Sequence, residues 1–231
     1  MVERVYNSLV AKSDEEKKVV LPRFFKTGKG QYGEGDVFIG VTVPNVREVA
    51  KEYKSLSLTD LSRLLQSEYH EMRLCALLIL VGNSKKVVTK EVFDFYLSNT
   101  ARINNWDLVD LSAPSIVGKY LLDKDRAVLY RLADSDLLWD NRIAIVSTLT
   151  FIRNNDLEDT YNSSVKMMRH KHDLMHKSIG WMLREAGKRD MNRLYNFLID
   201  NKLQMPRTML RYAIEKFDEV TRKELLSTRV R

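Results

Sequence analysis

HEMRLCALLIL (residues 70–80) starts with a polar turn, continues with a basic residue and ends in an apolar run. Three later segments repeat this form: WDNRIAIVSTL (139–149), HDLMHKSIGWML (172–183) and MPRTMLRYAIEKF (205–217). Their basic residues, Arg73, Arg142, Lys177 and Arg211, are 69, 35 and 34 residues apart. Because the first interval is about twice the others, we expect a further member near residue 108, within NNWDLVDLSAPSIV (104–117). A period of this length is typical of stacked helix pairs.

The apolar residues around these segments recur at intervals of three and four, as amphipathic helices require. One run consists of Leu61, Leu64, Leu65, Met72, Cys75, Ala76, Ile79 and Leu80. We therefore predict an all-α, superhelical solenoid of HEAT-like, armadillo-type repeats. No shift in composition marks a boundary, so we expect a single domain over residues 1–231. An ordinary bundle of helices of similar length is the alternative.

Several classes of protein are disfavoured by composition. One cysteine cannot form an intramolecular disulfide or supply a Cys-rich zinc site. His172 and His176 have helical i, i+4 spacing, but no third metal ligand is evident, so we expect no metal. The longest apolar run, LCALLILV (74–81), has eight residues, well short of the roughly 18 that a membrane span needs. We expect a cytoplasmic protein without a membrane partner.

The chain is basic, with a formal net charge of +7. Residues 1–152 hold 21 basic and 20 acidic side chains, whereas residues 153–231 hold 17 and 11. A stack that presents the repeated Arg73, Lys177 and Arg211 on one face would suit a polyanion, so we take these residues as candidate DNA contacts. Ordinary solvated basic faces are the alternative.

Two tryptophans have neighbours that suggest chemistry. Trp106 and Asp110 share a helix face at i, i+4, so an indole that can contact a sugar lies beside an anion that can stabilise a cation. Asp107 points elsewhere and is expected to cap or charge the helix N-terminus. Trp181 follows Lys177 by four residues, and Gly180 permits a close backbone approach. Burial in the core is the alternative for both tryptophans.

Two further features admit a binding interpretation. Arg142 lies at the start of a helix, where it can bind phosphate or pair with Asp140. The glycine-rich stretch TGKGQYGEGDVFIG (27–40) lacks the Gly-Lys-Ser/Thr of a phosphate-binding loop. A mobile loop that merely joins two helices is the favoured interpretation of that stretch.

Four segments resemble the AlkD-like DNA alkylation repair family, which consists of alkylpurine DNA glycosylases built from HEAT-like repeats. They are PRFFKTGKGQYGEGDVFIGVTVPNVREVAK (22–51), ARINNWDLVDLSAPSIVGKYL (101–121), WDNRIAIVST (139–148) and HKSIGWMLREAGK (176–188). The resemblance extends over roughly residues 5–220, in the expected order.

The resemblance implies hydrolysis of the N-glycosidic bond of cationic lesions such as 7-methylguanine and 3-methyladenine in duplex DNA. It implies that Asp110 is the catalytic carboxylate, that Trp106 and Trp181 hold the damaged nucleotide, and that Arg142 binds a phosphate. Phe24 stands near a position where the family often has Tyr, and it is a further candidate DNA contact. No cofactor is implied, and a monomer suffices. The rival hypotheses are a non-catalytic DNA-structure-binding protein and a HEAT-like interaction scaffold.

Overall fold

The computed structural model describes residues 1–227, which form helices joined mostly by short loops, with a longer segment at residues 25–42. The helices are α1 (Val2–Val10), α2 (Glu15–Phe24), α3 (Val43–Glu52), α4 (Leu58–Leu65), α5 (His70–Asn83), α6 (Lys90–Leu97), α7 (Trp106–Ala113), α8 (Ala127–Ala133), α9 (Leu138–Arg153), α10 (Glu158–Lys166), α11 (Asp173–Gly187), α12 (Met191–Asn201), α13 (Arg207–Ala213) and α14 (Glu219–Leu226). A 3₁₀ turn (Thr100–Arg102) precedes α7, and a π-helical turn (Pro114–Gly118) follows it. Over residues 1–227 the only β-type pairing is an isolated bridge between Val37 and Tyr69. The all-α prediction is confirmed.

The members of the predicted repeat coincide with alternate helices. The five helices α5, α7, α9, α11 and α13 begin at His70, Trp106, Leu138, Asp173 and Arg207, at intervals of 32 to 36 residues. The expected member near residue 108 is therefore present, as α7. The basic residue of each of the other four helices is its fourth or fifth residue, so the sequence pattern marks the same turn in each.

The chain divides into two compact units, residues 1–120 and residue 121 onwards. In the first unit, α5 packs against α1, α3, α4 and α7; in the second, α9 packs against α8, α10 and α11, and α11 against α12 and α13. The central helix α5 is buried on all sides from His70 to Leu80, which explains its continuous apolar run. The single domain and the superhelix remain predictions. In the part of the chain described, no helix has the length and apolar character to span a membrane.

Helices α11 and α13 approach each other closely at Gly180. A Cβ atom added there would lie 2.5 Å from the carbonyl oxygen of Met209 and 2.6 Å from the Cβ of Tyr212. Gly180 therefore permits the close approach that its place before Trp181 suggested, because any side chain would push the two backbones apart.

We expect Gly180→Ala to lower the free energy of unfolding by about 1–3 kcal/mol, since the methyl group overpacks a rigid contact. Urea denaturation measures this change. Gly82→Ala is the matched control, because Gly82 also lies in a helix but has no neighbouring atom within 4 Å of the added Cβ. The control should be neutral or slightly stabilising. Equal stabilities of the two variants would contradict the close approach of α11 and α13.

Candidate functional site

The first turn of α7 carries Trp106 and, one turn later, Asp110. The Asn105 side chain caps this helix by accepting a hydrogen bond from the Trp106 backbone N–H at 2.8 Å. Asn105 is fully buried, whereas Trp106 and Asp110 are half-buried. Because residues four apart lie on one side of a helix, the indole and the carboxylate share a face of α7.

Aromatic side chains from the end of α2 pack around Trp106. Phe25 stacks on it with ring centroids 5.5 Å apart and an interplanar angle of 25°, and Phe24 meets it edge-on at 5.9 Å and 66°. Phe25 is buried, but Phe24 is 58% exposed. The structure therefore brings the candidate DNA contact Phe24 beside Trp106, at the surface. Its contact with DNA remains a prediction.

A buried network of charges lies behind this aromatic cluster. The His70 imidazole, 2% exposed, lies between two carboxylates: its Nδ1 is 3.2 Å from Asp36 Oδ2, and its Nε2 is 2.8 Å from Asp107 Oδ2. Arg73 donates from Nη2 to Asp36 Oδ1 at 2.5 Å. Asn105 Nδ2 also donates to Asp36, at 3.3 Å. Two carboxylates, a guanidinium and an imidazole thus lie together where little water can screen their charges.

The carboxylates decide the protonation state of His70. Burial lowers the pKa of an imidazole, and the nearby Arg73 lowers it further, but attraction to Asp107 and hydrogen bonds to Asp107 and Asp36 outweigh both. The net effect raises the pKa of His70 to about 9. Burial raises the pKa of Asp36, but its hydrogen bond to His70 and the charge of Arg73 lower it overall. His70 is therefore an imidazolium at neutral pH and holds Asp107 in the first turn of α7.

This assignment predicts a particular pH dependence of stability. Since the folded pKa of His70 lies above the usual 6.5, its contribution is fully present below about pH 6.5 and is lost as the pH rises through 9. A shift of that size corresponds to about 3 kcal/mol. We expect the free energy of unfolding to fall by this order between pH 6.5 and 9, measured by urea denaturation across that range.

The control for this prediction is His70→Gln, which should show a much flatter profile. Burial raises the pKa of the Cys75 thiol to about 12, so Cys75 also favours unfolding at high pH. Its effect is common to both proteins and cancels in their difference. His170 and His172 have lowered pKa values, chiefly through burial, and their effect is likewise common to both proteins. Parallel profiles for the two proteins would rule out a protonated His70.

The glycine-rich stretch does more than join two helices. Its end is fixed to α5, because Glu71 accepts hydrogen bonds from the backbone N–H groups of Ile39, Gly40 and Val41 at 2.9, 2.8 and 3.1 Å. At Gly40 (φ +91°) a Cβ would lie 2.5 Å from the Asp14 carbonyl oxygen, so only glycine fits. The stretch delivers Asp36 into the charge network. The interpretation of it as a mere connection was therefore wrong.

Arg73 occupies the centre of this network and is 1% exposed. Besides its bond to Asp36, it donates from Nη1 to the carbonyl oxygens of Ser67 and Glu68 at 2.8 and 3.0 Å. A buried guanidinium that is committed to these acceptors does not suit the direct DNA contact that the repeat pattern suggested for Arg73. We instead propose a structural role for it. Asp107 lies in the first turn of α7, where it charges the helix N-terminus as expected, but the cap is Asn105, and Asp107 also binds His70.

The remaining candidates belong to the second unit. Trp181 is half-buried on α11, and Lys177, one turn earlier, pairs with Asp173 at 2.8 Å. Arg142 is 5% exposed and donates from Nη1 to the Leu174 carbonyl oxygen at 2.8 Å, which links α9 to the start of α11. Arg211 is exposed on α13. The DNA contacts of Arg142, Lys177 and Arg211 remain predictions, as does the convergence of Trp181 with Trp106 and Asp110.

Three histidines before and within the first two turns of α11 form hydrogen bonds that hold this region in place. His170 Nε2 lies 3.1 Å from Asn141 Oδ1, and His172 accepts from the Leu174 backbone N–H at 3.1 Å as the helix cap. His176 Nε2 donates to the His170 carbonyl oxygen. Among residues 1–227, no group of three or more His, Cys, Asp or Glu side chains is arranged to hold a metal ion.

Most of the chain matches one known protein family. The family model described as DNA alkylation repair enzyme matches residues 5–217. The chain belongs to the DNA alkylation repair family. A solved structure of a predicted DNA alkylation repair enzyme from Enterococcus faecalis resembles this chain, with a TM-score of 0.72 and 16% sequence identity. The match covers 90% of this chain and 98% of that one. At this identity the likeness shows a common fold. No curated protein matches the chain.

Proposed function

We propose that this member of the DNA alkylation repair family is a DNA glycosylase. It hydrolyses the N-glycosidic bond of positively charged alkylpurines, such as 7-methylguanine and 3-methyladenine, in duplex DNA. The observation that carries this proposal is the pairing of Trp106 with Asp110 on one face of α7, in a chain whose family acts in alkylation repair. The exposed Phe24 adds a second aromatic surface beside the indole.

The chemistry needs little beyond an anion and a positioned water. An alkylated purine is already cationic, so when the C1′–N bond breaks, its electron pair neutralises the base. The sugar is left as an oxocarbenium-like cation, which the Asp110 carboxylate stabilises electrostatically. Water then adds to C1′, and its proton passes to the carboxylate or to solvent. An anion held in a half-buried site is more effective than one in bulk water, because less solvent screens it.

The other candidates would serve in binding. Trp106 and Trp181 would hold the deoxyribose and backbone by contact with their ring faces. Lys177, Arg142 and Arg211 would contact phosphates, which position a duplex without reading its sequence. The charge network of Asp36, His70 and Asp107 would keep the first turn of α7 in place beneath these contacts.

Release of free bases from methylated duplex DNA tests the proposal. The expected result is release of 7-methylguanine, detected by chromatography, together with alkali-labile breaks at the abasic sites that remain. A protein that binds the duplex and releases no base would instead be the non-catalytic DNA-structure-binding protein. Failure of both binding and release would reject both functions in favour of a scaffold.

A further inference from the structure

A basic cleft lies between the ends of α3 and α5 and has a volume of about 280 Å³. We define it by its four cations: Arg47 and Lys51 on α3, Lys54 just beyond that helix, and Lys85 just beyond α5. All four side chains are exposed. No carboxylate lines the cleft.

The four cations of the basic cleft form no salt bridge within residues 1–227. Lys51 acts on the nearby Glu48 only through space, because that carboxylate is bound by Lys12 at 2.9 Å. Like charges one helical turn apart destabilise a helix. The chain gathers these charges nonetheless, and a bound anion would relieve their repulsion.

The frame of the basic cleft is fixed before any ligand arrives. Asn83 Nδ2 donates to the Lys54 carbonyl oxygen at 2.8 Å and ties the two helix ends together. Lys119 Nζ donates to the carbonyl oxygens of Ser84 and Lys85 at 3.1 and 2.6 Å and fixes the segment after α5. A preformed site loses less entropy when it binds.

The floor of the basic cleft is apolar and open. Ala50, Leu78 and Ile79 form much of it, so the charges at the rim act over a surface of low polarity, where they are less screened. Gly82 is exposed there, with no atom within 4 Å of the position of a Cβ. The opening therefore admits a group with several oxygens.

The basic cleft is remote from the Trp106–Asp110 pair. Helix α5 runs from His70, which contacts the first turn of α7, to Asn83 at the cleft. Fourteen residues of α-helix span ~20 Å. A ligand in the cleft would thus be separate from the nucleotide at α7.

We propose that the basic cleft binds a backbone phosphate of duplex DNA, away from the nucleotide under repair. This inference rests on the proposed DNA substrate. Lysine and arginine are the side chains that neutralise DNA phosphates, and such contacts set the position of a protein on the duplex. Their removal weakens binding to all sequences alike and releases fewer counterions.

The test compares two double variants. The cleft variant carries Lys51→Gln and Lys54→Gln, and the control variant carries Lys86→Gln and Lys90→Gln. The control pair removes the same charge from exposed lysines that do not line the cleft. Binding to undamaged duplex is measured across salt concentrations. For each phosphate that the cleft variant no longer neutralises, we expect the slope of log K against log salt to shrink by about 0.9, and the affinity at 0.1 M salt to fall about eightfold.

Equal slopes for the cleft and control variants would overturn the proposal. Free phosphate is the other source of the same chemical group. Titration calorimetry with inorganic phosphate distinguishes this source from DNA. If the cleft variant no longer bound phosphate but both variants bound duplex equally well, the cleft would be a site for the free anion. That result would also overturn the proposal. A wild-type protein that binds duplex without releasing bases would refute the proposed excision alone, since the salt slopes are measured independently.

Discussion

Asp110→Asn should reduce the release of 7-methylguanine from methylated duplex DNA by at least about 100-fold, the order that one preorganised electrostatic group contributes. The amide has the shape of the carboxylate but no negative charge, so it cannot stabilise the oxocarbenium-like sugar. Affinity for duplex DNA should stay within about threefold of wild type, because Asp110 carries no positive charge to lose. Single-turnover release and duplex titration measure the two quantities separately.

Asp94→Asn is the matched control for this experiment. It makes the same change on an exposed residue of α6, where the carboxylate pairs with Lys90. The control should release bases at the wild-type rate. If Asp110→Asn also kept the wild-type rate, the carboxylate of α7 would have no part in the chemistry, and the proposed mechanism would fail.

Asp36→Asn should lower the free energy of unfolding by about 3–5 kcal/mol, the usual cost of removing one partner from a buried ion pair. Asp36 is 8% exposed and binds both His70 and Arg73. Without its charge, two buried cations share the single remaining carboxylate of Asp107. Urea denaturation at pH 7 measures the loss, with Asp94→Asn as a control that should leave the stability nearly unchanged.

A second variant separates charge imbalance from a change in packing. Asp36→Asn combined with Arg73→Gln removes the unpaired guanidinium along with its partner, so it should recover part of the stability that Asp36→Asn alone loses. No recovery in the double variant would mean that the two charges do not interact across the core. A stability of Asp36→Asn equal to wild type would contradict the buried network altogether.

The repeat pattern was sufficient to predict the helical class and the starts of alternate helices. Arg73, Arg142, Lys177 and Arg211 mark the fourth or fifth residue of α5, α9, α11 and α13. Local periodicity carries this information because each helix buries one face against its neighbours. The pattern could not separate buried from exposed members. Arg73 and Arg142 are 1% and 5% exposed, whereas Arg211 is exposed.

The pair of Trp106 and Asp110 could also be proposed from spacing and resemblance, since four residues of helix fix a shared face. The charge network behind it could not. His70 lies 34 residues from Asp36 and 37 from Asp107, and no periodicity connects such positions. A glycine-rich segment that brings Asp36 under α7 through hydrogen bonds to Glu71 has no local sequence signature. The only signal was the cluster of glycines itself.

The amino-acid order by itself determined where helices form, which face of α7 holds an indole with a carboxylate, and which family the chain resembles. These properties depend on residues a few positions apart, and helical geometry relates them directly. Tertiary structure alone decided that His70 is a cation, that Arg73 is buried beside Asp36 and that four lysine and arginine side chains surround one cleft. Those outcomes depend on burial and on charges brought together from distant parts of the chain, and both are set only when the helices pack.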